Sequence, residues 1–518
     1  MAELLSSKVA IIEEPPRVRG IPGLPTAVAG AVGIAERGPV GEAVLVTSIE
    51  EFQRTFGAIA TDLGLAALGF FQNGGAQLWV VRTVHYTSID DQSTATAARS
   101  SVAVVAGQDN APVFRIEAKY VGAYGNRISV EIDPATNGQS TAFDLAVVEG
   151  GVTRETFANL SMSPTHQRHF ATIINDPQRG SRLVKAVDLA VTNAPVPAAQ
   201  TVVLSAGSDG LGGLVDADFT GSPTGKTGLH ALDGVADLSI LLVPGRATAA
   251  VHVDMLEYCE IVRGGSAFAI LDPPANQSAS QIVTYVSQTA GIENYSEYGA
   301  IYWPRIRVPN PNPSAFGNAP DISAPPSGAI AGVYARTDGA QPGGVYNAPA
   351  GVEVGRLLGA LGFEHGESND EKKRDLVYPH RVNPLRTDAG APRYIDGSRT
   401  LKGDGNFPSV PERRGVSFIE RSLRRGLEVA RHRSNDERLR SEVRNTITAF
   451  LTAQMNVGAF ASRDPKTAFF VEVEDDVQAR FRGELHVRIG LATNKPAEFI
   501  VLHISQDTRA IEAALAAS

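Results

Sequence analysis

From Ala27 to Ile34 the chain is small and apolar, and Ala43 to Val46 repeats that character, so two strands are predicted there. Ser48 stands three residues before Glu51, a spacing that lets a hydroxyl and a carboxylate satisfy the first backbone donors of a helix. Phe52 and Phe56 fall on one face of that helix, and Gly57 ends it. Leu65, Leu68 and Phe71 mark a second helix, broken at Gly74-Gly75, and Leu78 to Val84 reads as the next strand. Short alternating strands with polar turns follow, at Val113 to Tyr120, Asn126 to Ile132 and Phe143 to Val148. Strands at Leu238 to Val243, Ala267 to Leu271 and Ala300 to Trp303 then alternate with helices around Thr248 to Val262 and Ser278 to Thr289, the order of a sheet covered by helices. Pro304 to Pro349 is rich in Pro, Gly and Asn and reads as a long ordered loop or interface segment.

Two amphipathic helices follow. Val416, Ile419, Leu423, Leu427 and Ala430 recur at helical spacing on the first, and Leu439, Val443, Ile447 and Leu451 on the second. Ser434 and Glu437 suggest another reciprocal cap between them. Strands at Phe469 to Val473, Glu484 to Ile489 and Glu498 to Ile504 precede an Ala-rich tail. At the other terminus, Lys8, Val9, Ala10, Ile11, Ile12 and Glu13 form a short strand-like run stopped by Pro15-Pro16, an extended arm rather than part of a compact domain.

The expected fold class is thus a multidomain α/β and α+β chain: a discontinuous α/β core, an inserted β-rich domain, a C-terminal α+β domain, and extended N- and C-terminal arms. The divisions fall at 1–25 for the arm, 26–90 and 225–374 for the core, 91–224 for the insertion and 375–518 for the C-terminal domain with its arm. A length of 518 residues accommodates this organisation.

Composition narrows the functional classes. A net charge of -9 gives no reason to expect nucleic acid as a partner. The single cysteine, Cys259, excludes an intramolecular disulfide framework and a multi-cysteine zinc site. Neither a cleavable signal nor an apolar run of membrane-spanning length is present, so a soluble protein made in the cytoplasm is expected.

Candidate chemistry is sparse. Gly221-Ser222-Pro223-Thr224-Gly225-Lys226-Thr227 resembles a phosphate-binding loop but has three residues between its glycines where that loop has four, and no buried strand leads into it. An ordinary turn fits better. The α/β strands end in Pro244-Gly245-Arg246 and Asp272-Pro273-Pro274 rather than in a glycine-rich dinucleotide turn. His365, His380, His432 and His503 show no metal-ligand spacing, and no nucleophile elbow surrounds a serine. No catalytic residue, cofactor or metal is therefore expected. Between Glu412 and Arg444 lie ten arginines against six acids, either a solvated helix face with pairs such as Glu420 to Arg424 or a surface steered toward an acidic partner.

Many segments are similar to contractile tail sheath proteins, the subunits found in myophages, R-type pyocins and extracellular or type VI-like contractile injection systems. They include Glu36-Arg37-Gly38-Pro39, Phe70-Phe71-Gln72-Asn73-Gly74-Gly75, Trp79-Val80-Val81-Arg82, Gly122-Ala123-Tyr124-Gly125-Asn126 and Thr227-Gly228-Leu229-His230-Ala231-Leu232-Asp233. Leu271-Asp272-Pro273-Pro274, Tyr302-Trp303-Pro304, Val382-Asn383-Pro384-Leu385-Arg386 and Asn435-Asp436-Glu437-Arg438-Leu439 extend the likeness, and the run from Pro325 to Asp338 is its most specific stretch. A Trp-Gly-Ala-Arg-Thr-Leu motif common among sheath proteins reads Asp396-Gly397-Ser398-Arg399-Thr400-Leu401 here.

The resemblance implies a non-enzymatic subunit that stacks as hexameric rings around an inner tube and contracts to drive it through a target envelope. It implies an outer inserted domain, an inner C-terminal domain, and terminal arms donated into a neighbour's sheet. On this chain the strand-exchange residues would be Lys8, Val9, Ala10, Ile11, Ile12 and Glu13 with Phe499, Ile500, Val501, Leu502, His503 and Ile504. Inner-tube contact would fall to Arg421, Arg424, Arg425 and Arg431. The expected partners are further copies of the chain, the inner tube protein, and baseplate and terminal cap proteins, in a virion tail or a released phage-like particle.

Overall fold

The computed structural model describes residues 20–106, 111–191, 195–364, 371–387 and 392–498. Both expected arm segments, 8–13 and 499–504, lie outside these residues, as do His365 and His503.

The chain opens with β1 (Val28–Gly33), β2 (Ala43–Val46), α1 (Ile49–Phe56), α2 (Asp62–Gln72) and β3 (Gln77–Arg82). An excursion then carries β4 (Ser101–Ala106), β5 (Ala111–Ala118), β6 (Ile128–Pro134), β7 (Ala142–Glu149), β8 (Val152–Ser161), α3 (Phe170–Ile174), β9 (Val184–Asp188) and β10 (Gln200–Val203). These strands form sheets of their own, ordered β10-β6-β7-β8 and β4-β5-β9, over a core that includes Phe114, Phe143 and Phe170. After α4 (Ala217–Thr220) the α/β order resumes with β11 (Ile240–Leu242), α5 (Ala249–Glu257), β12 (Phe268–Leu271), α6 (Ala279–Thr284) and β13 (Gly299–Trp303). Next come β14 (Ile306–Pro309), α7 (Pro313–Phe316), β15 (Asp321–Ala324), α8 (Ser327–Gly339) and β16 (Gly362–Phe363). α9 (Glu371–Val377), β17 (Val382–Arg386) and β18 (Tyr394–Ile395) complete the central part.

Eight strands form the main sheet in the order β18-β17-β13-β12-β11-β1-β3-β2. Its six inner strands run parallel, and the outermost at each edge is antiparallel. Helices cover both faces, which is why β1, β11, β12 and β13 are buried along their whole length. Successive side chains alternate between two cores. Ile240, Leu242, Ile270 and Tyr302 face the side of α1, α2 and α8, while Leu241, Ala269, Leu271 and Ile301 face that of α5 and α6.

Two sequence expectations fail here. Residues 304–349 are not a long loop, because α8 runs through them, buried nearly all round. Its glycines, which read as breakers, permit close contact with α2: a Cβ on Gly328 would stand 2.2 Å from the Ala66 carbonyl oxygen, and one on Gly332 2.5 Å from that of Phe70. Nor does 375 separate the C-terminal domain from the core, since β17 pairs in parallel with β13 and puts residues 382–386 in the main sheet.

A separate core begins with α10 (Val410–Leu427) and α11 (Glu437–Asn456), joined by α12 (Pro465–Ala468), β19 (Phe469–Val473), α13 (Val477–Phe481) and β20 (Val487–Leu491). Ile419, Leu423, Leu439, Val443, Ile447 and Leu451 meet inside it, as their spacing predicts. The caps differ in detail. Ser48 accepts from the Glu51 N–H, but the Glu51 carboxylate takes the N–H and hydroxyl of Thr47 instead of the Ser48 N–H. α11 is capped by Asp436, not Ser434, because the Asp436 carboxylate reaches the Leu439 N–H at 2.8 Å. β20 starts later than the expected 484–489, because the Arg480 to Glu484 stretch turns at Gly483 and Phe469 pairs with Leu491.

Candidate functional site

The loop resembling a phosphate cradle is closed upon itself. Ser222 N–H donates to the Thr227 hydroxyl at 3.0 Å, Thr224 N–H to the Ser222 hydroxyl at 3.2 Å, and Thr227 N–H to the Ser222 carbonyl at 3.3 Å. The Thr227 hydroxyl in turn donates to the Ile89 carbonyl at 2.8 Å, tying the loop to the segment beside it. Lys226 is exposed. The Ser222, Thr224 and Thr227 backbone donors, which a phosphate would need, are therefore already used within the fold. His380 lies 3.1 Å from Glu293 and His432 is exposed. Among the described residues, no group of three or more His, Cys, Asp or Glu is placed to hold a metal. Cys259 is fully buried in a wide turn after α5, and desolvation pushes its thiol up, away from the reactive thiolate.

Several residues carrying the sequence resemblance are structural connectors. Asp272, fully desolvated beyond the end of β12, accepts from the Ser327 N–H at 2.8 Å and the Ser327 hydroxyl at 2.7 Å, and so holds the first turn of α8. It also accepts from the Gly245 N–H at 3.2 Å. Burial pushes its carboxyl up to about 6, against the lowering effect of Ser327, Arg305 and Gly245. Because the folded value exceeds the unfolded one, the native state holds a proton between roughly pH 4 and 6 that the unfolded chain has released. Asp272 therefore adds stability as pH falls through this window and loses it as pH rises. The stability of the native chain relative to Asp272→Asn is expected to increase by up to about 3 kcal/mol from pH 6 to pH 4. Urea unfolding of both proteins across that range checks this, and a constant difference would contradict it.

The arginine-rich helix divides into an inward and an outward set. Arg414, 4% exposed, makes a fork to Asp338 at 2.6 and 3.0 Å, donates to the Thr26 carbonyl at 3.0 Å, and lies 4.5 Å over the Tyr334 ring. Arg413 pairs with Glu297 at 2.8 Å and Glu420 at 3.0 Å, between the Tyr298 and Phe407 rings. Glu420 is thus engaged with Arg413, where the sequence suggested Arg424. Arg421, expected to face the tube, is turned inward: it is 7% exposed and donates to the Pro25 carbonyl at 3.2 Å and the Asp237 carbonyl at 3.1 Å. The apolar face of α10 packs onto the N-terminal segment ahead of β1, where Ile21 lies against Gly426 and Phe418 against Gly23, and this carries Arg421 into the interior. Arg424, Arg425 and Arg431 are exposed, with Arg425 3.6 Å from Asp237. Arg438 and Arg444 are exposed on α11.

Beside these helices, β19 and β20 form a two-stranded ribbon. Phe469, Val471, Val487, Ile489 and Leu491 pack toward the core of α10 and α11, while Phe470 is exposed on the other face. Among the described residues, neither outer edge of this ribbon carries another strand.

No protein-family model matches the chain, and no curated protein matches it in sequence. Solved structures do match. The chain is similar to the sheath of the extracellular contractile injection system PVC in its contracted state, at 17% identity and TM-score 0.55, covering 98% of this chain and 100% of that one. The contracted helical sheath of the anti-feeding prophage matches at 18% identity and TM-score 0.57 with the same coverage. A sheath tail protein from Desulfitobacterium hafniense matches at 14% identity and TM-score 0.59, covering 94% of this chain and all of that one. No helix among the described residues is long and apolar enough to cross a membrane. Over nearly its whole length, then, this chain has the fold of the contractile sheath proteins.

Proposed function

We propose that the chain is a structural sheath subunit, without catalytic activity, that polymerises as stacked hexameric rings around an inner tube and contracts to drive the tube through a target envelope. The observation that carries this reading is the match to sheath structures from end to end, across the main sheet, the inserted β sheets and the arginine-bearing helices alike. In this reading the inserted sheets lie outermost, the unit built on α10 and α11 lies innermost, and assembly takes place in the cytoplasm of a bacterial host before incorporation into a tail or a released particle. Further copies, the inner tube, the baseplate and the terminal cap are its partners.

The ribbon supplies a physical reason for strand exchange. The ribbon rests on α10 and α11, but each of its bare edges offers unpaired backbone donors and acceptors. Strands donated by neighbouring copies would supply the missing hydrogen bonds, with residues 8–13 and 499–504 the segments of suitable character. Such contacts are heterologous and so propagate into rings and filaments. Purified protein is expected to form cylinders visible in negative stain, and Ile11→Pro is expected to leave a folded subunit whose cylinders are short or absent, since proline removes a ladder donor. Cylinders of unchanged length from Ile11→Pro would exclude the N-terminal segment from strand exchange, and a persistent monomer under all assembly conditions would overturn the sheath reading.

A further inference from the structure

Both ends of the described chain are held by arginines, and the two attachments differ in kind. At the N-terminal side, Arg414 and Arg421 grip the Thr26 and Pro25 carbonyls from within the protein, at 4% and 7% exposure. Neutral backbone oxygens accept these bonds, and Arg414 is itself fixed by Asp338. At the C-terminal side, the chain leaves β20 and returns to the main-sheet unit, where Glu498 meets Arg399. Arg399 Nε lies 3.1 and 3.2 Å from the two carboxylate oxygens, and Nη2 is 2.5 Å from Oε2. The Tyr378 hydroxyl donates to Glu498 at 3.0 Å, while its ring lies 3.8 Å beneath the Arg399 guanidinium.

This second attachment continues into the sheet. The Arg399 N–H donates to Asn383 Oδ1 at 2.7 Å, and Asn383, fully buried on β17, donates to the Arg399 carbonyl at 2.8 Å and the Ile301 carbonyl on β13 at 3.2 Å. Glu498 is therefore linked through the Arg399 and Asn383 side chains to two inner strands of the main sheet. The pair is 17% and 23% exposed, so solvent and salt reach it. Burial raises the Glu498 carboxyl, but Arg399, Tyr378 and Arg381 outweigh that and hold it below the usual range.

We propose that these constellations root the two terminal segments and that the Arg399–Glu498–Tyr378 cluster is the releasable root, a salt-sensitive fastening through which load on the C-terminal segment enters the main sheet. The N-terminal root, made to buried carbonyls, stays fixed. The fastening itself is a property of the folded subunit; only its consequence for contraction rests on the sheath reading.

Cleavage by chymotrypsin after Phe499, the residue next to the root, followed by mass spectrometry of the released C-terminal peptide because Phe470 and Phe481 are also exposed, measures the fastening in the unassembled subunit. Arg399→Glu and Glu498→Arg are each expected to speed cleavage about fivefold, the size of effect a partly exposed pair supports. Combining them, which restores an ion pair with reversed polarity, is expected to bring the rate back to within about twofold of the native chain. Raising salt from about 0.1 to about 1 M, which shortens the Debye length from roughly 10 to 3 Å, is expected to speed cleavage of the native chain but not of either single variant. Glu498→Gln carries the test should Arg399→Glu fail to fold. Equal rates in native and Glu498→Gln chains, or a double variant as fast as the singles, would overturn the fastening. In assembled particles, Glu498→Gln is expected to alter the proportion of extended to contracted sheaths; an unchanged proportion alongside faster cleavage would overturn the load-bearing role. Failure of the native chain to assemble would count against the sheath reading alone and leave the cleavage result standing.

Discussion

Arg414→Met is expected to lower the unfolding free energy by about 3 to 5 kcal/mol, the cost of removing one member of a buried ion pair. Asp338 is only 4% exposed and receives both branches of the Arg414 fork, so without Arg414 a carboxylate is left where water cannot solvate it. Burial already raises the Asp338 carboxyl despite the opposing effect of Arg414, so loss of the guanidinium leaves proton uptake as its escape. The Thr26 carbonyl loses its Arg414 donor at the same time. Urea unfolding at neutral pH measures the cost. Asp338→Asn in the Arg414→Met background is expected to recover part of it, because an amide is cheaper to bury than an unpaired charge. A loss below about 1 kcal/mol for Arg414→Met would mean that the pair is dispensable and that α8 and α10 are held by packing alone.

This pair also marks the limit of what the sequence disclosed. The strands could be read because each is a short apolar run between turn residues, and Ala43 to Val46 and Phe469 to Val473 fall at the expected positions. α8 could not. Its glycines and flanking prolines carry the local signal of a loop, and only the backbone of α2 lying against Gly328 and Gly332 explains why a helix needs them. Long-range contacts set the fate of the arginines in the same way. Arg421 and Arg424 are three residues apart on one helix, yet Arg421 is sunk against Pro25 and Asp237 while Arg424 is exposed.

The resemblance was informative where periodicity was not, because its motifs mark tertiary joints. Asp272 and Ser327, far apart in the chain, meet at the start of α8, and Asp338 at its other end meets Arg414. The departure at Asp396 is also accommodated: its carboxylate lies 2.7 Å from Arg374 and 3.3 Å from Arg386, an ionic solution in place of the tryptophan common among sheath proteins.

Charge reversal at Arg424, Arg425 and Arg431 is expected to reduce the fraction of extended, tube-filled particles sharply while leaving the subunit folded. These three side chains are exposed, and among the described residues the acid at ion-pair distance from them is Asp237, 3.6 Å from Arg425 and itself 41% exposed, so their loss uncovers no buried charge. One exposed ion pair contributes only ~0 to 1 kcal/mol. Three per subunit, repeated along a cylinder, would hold the sheath against an acidic tube while each contact stays weak enough to release as the sheath shortens. If the arginines face an acidic tube as proposed, reversal would replace attraction with repulsion at every repeat, and the effect on the particle would far exceed that on the monomer. Arg421→Glu is the contrasting variant: it places a carboxylate against the Pro25 and Asp237 carbonyls in the interior, and its expected defect is in stability. Salt separates the two further, because screening weakens the exposed contacts and barely touches buried ones. Unmodified particles are therefore expected to shift toward the contracted form as salt rises from about 0.1 to 1 M, while the unfolding midpoint of Arg421→Glu stays below that of the native chain at each salt concentration. Counting extended and contracted particles by microscopy across the salt series decides the matter. Equal proportions in native and triple-reversed particles at every concentration would show that these arginines are a solvated helix face and take no part in holding the tube.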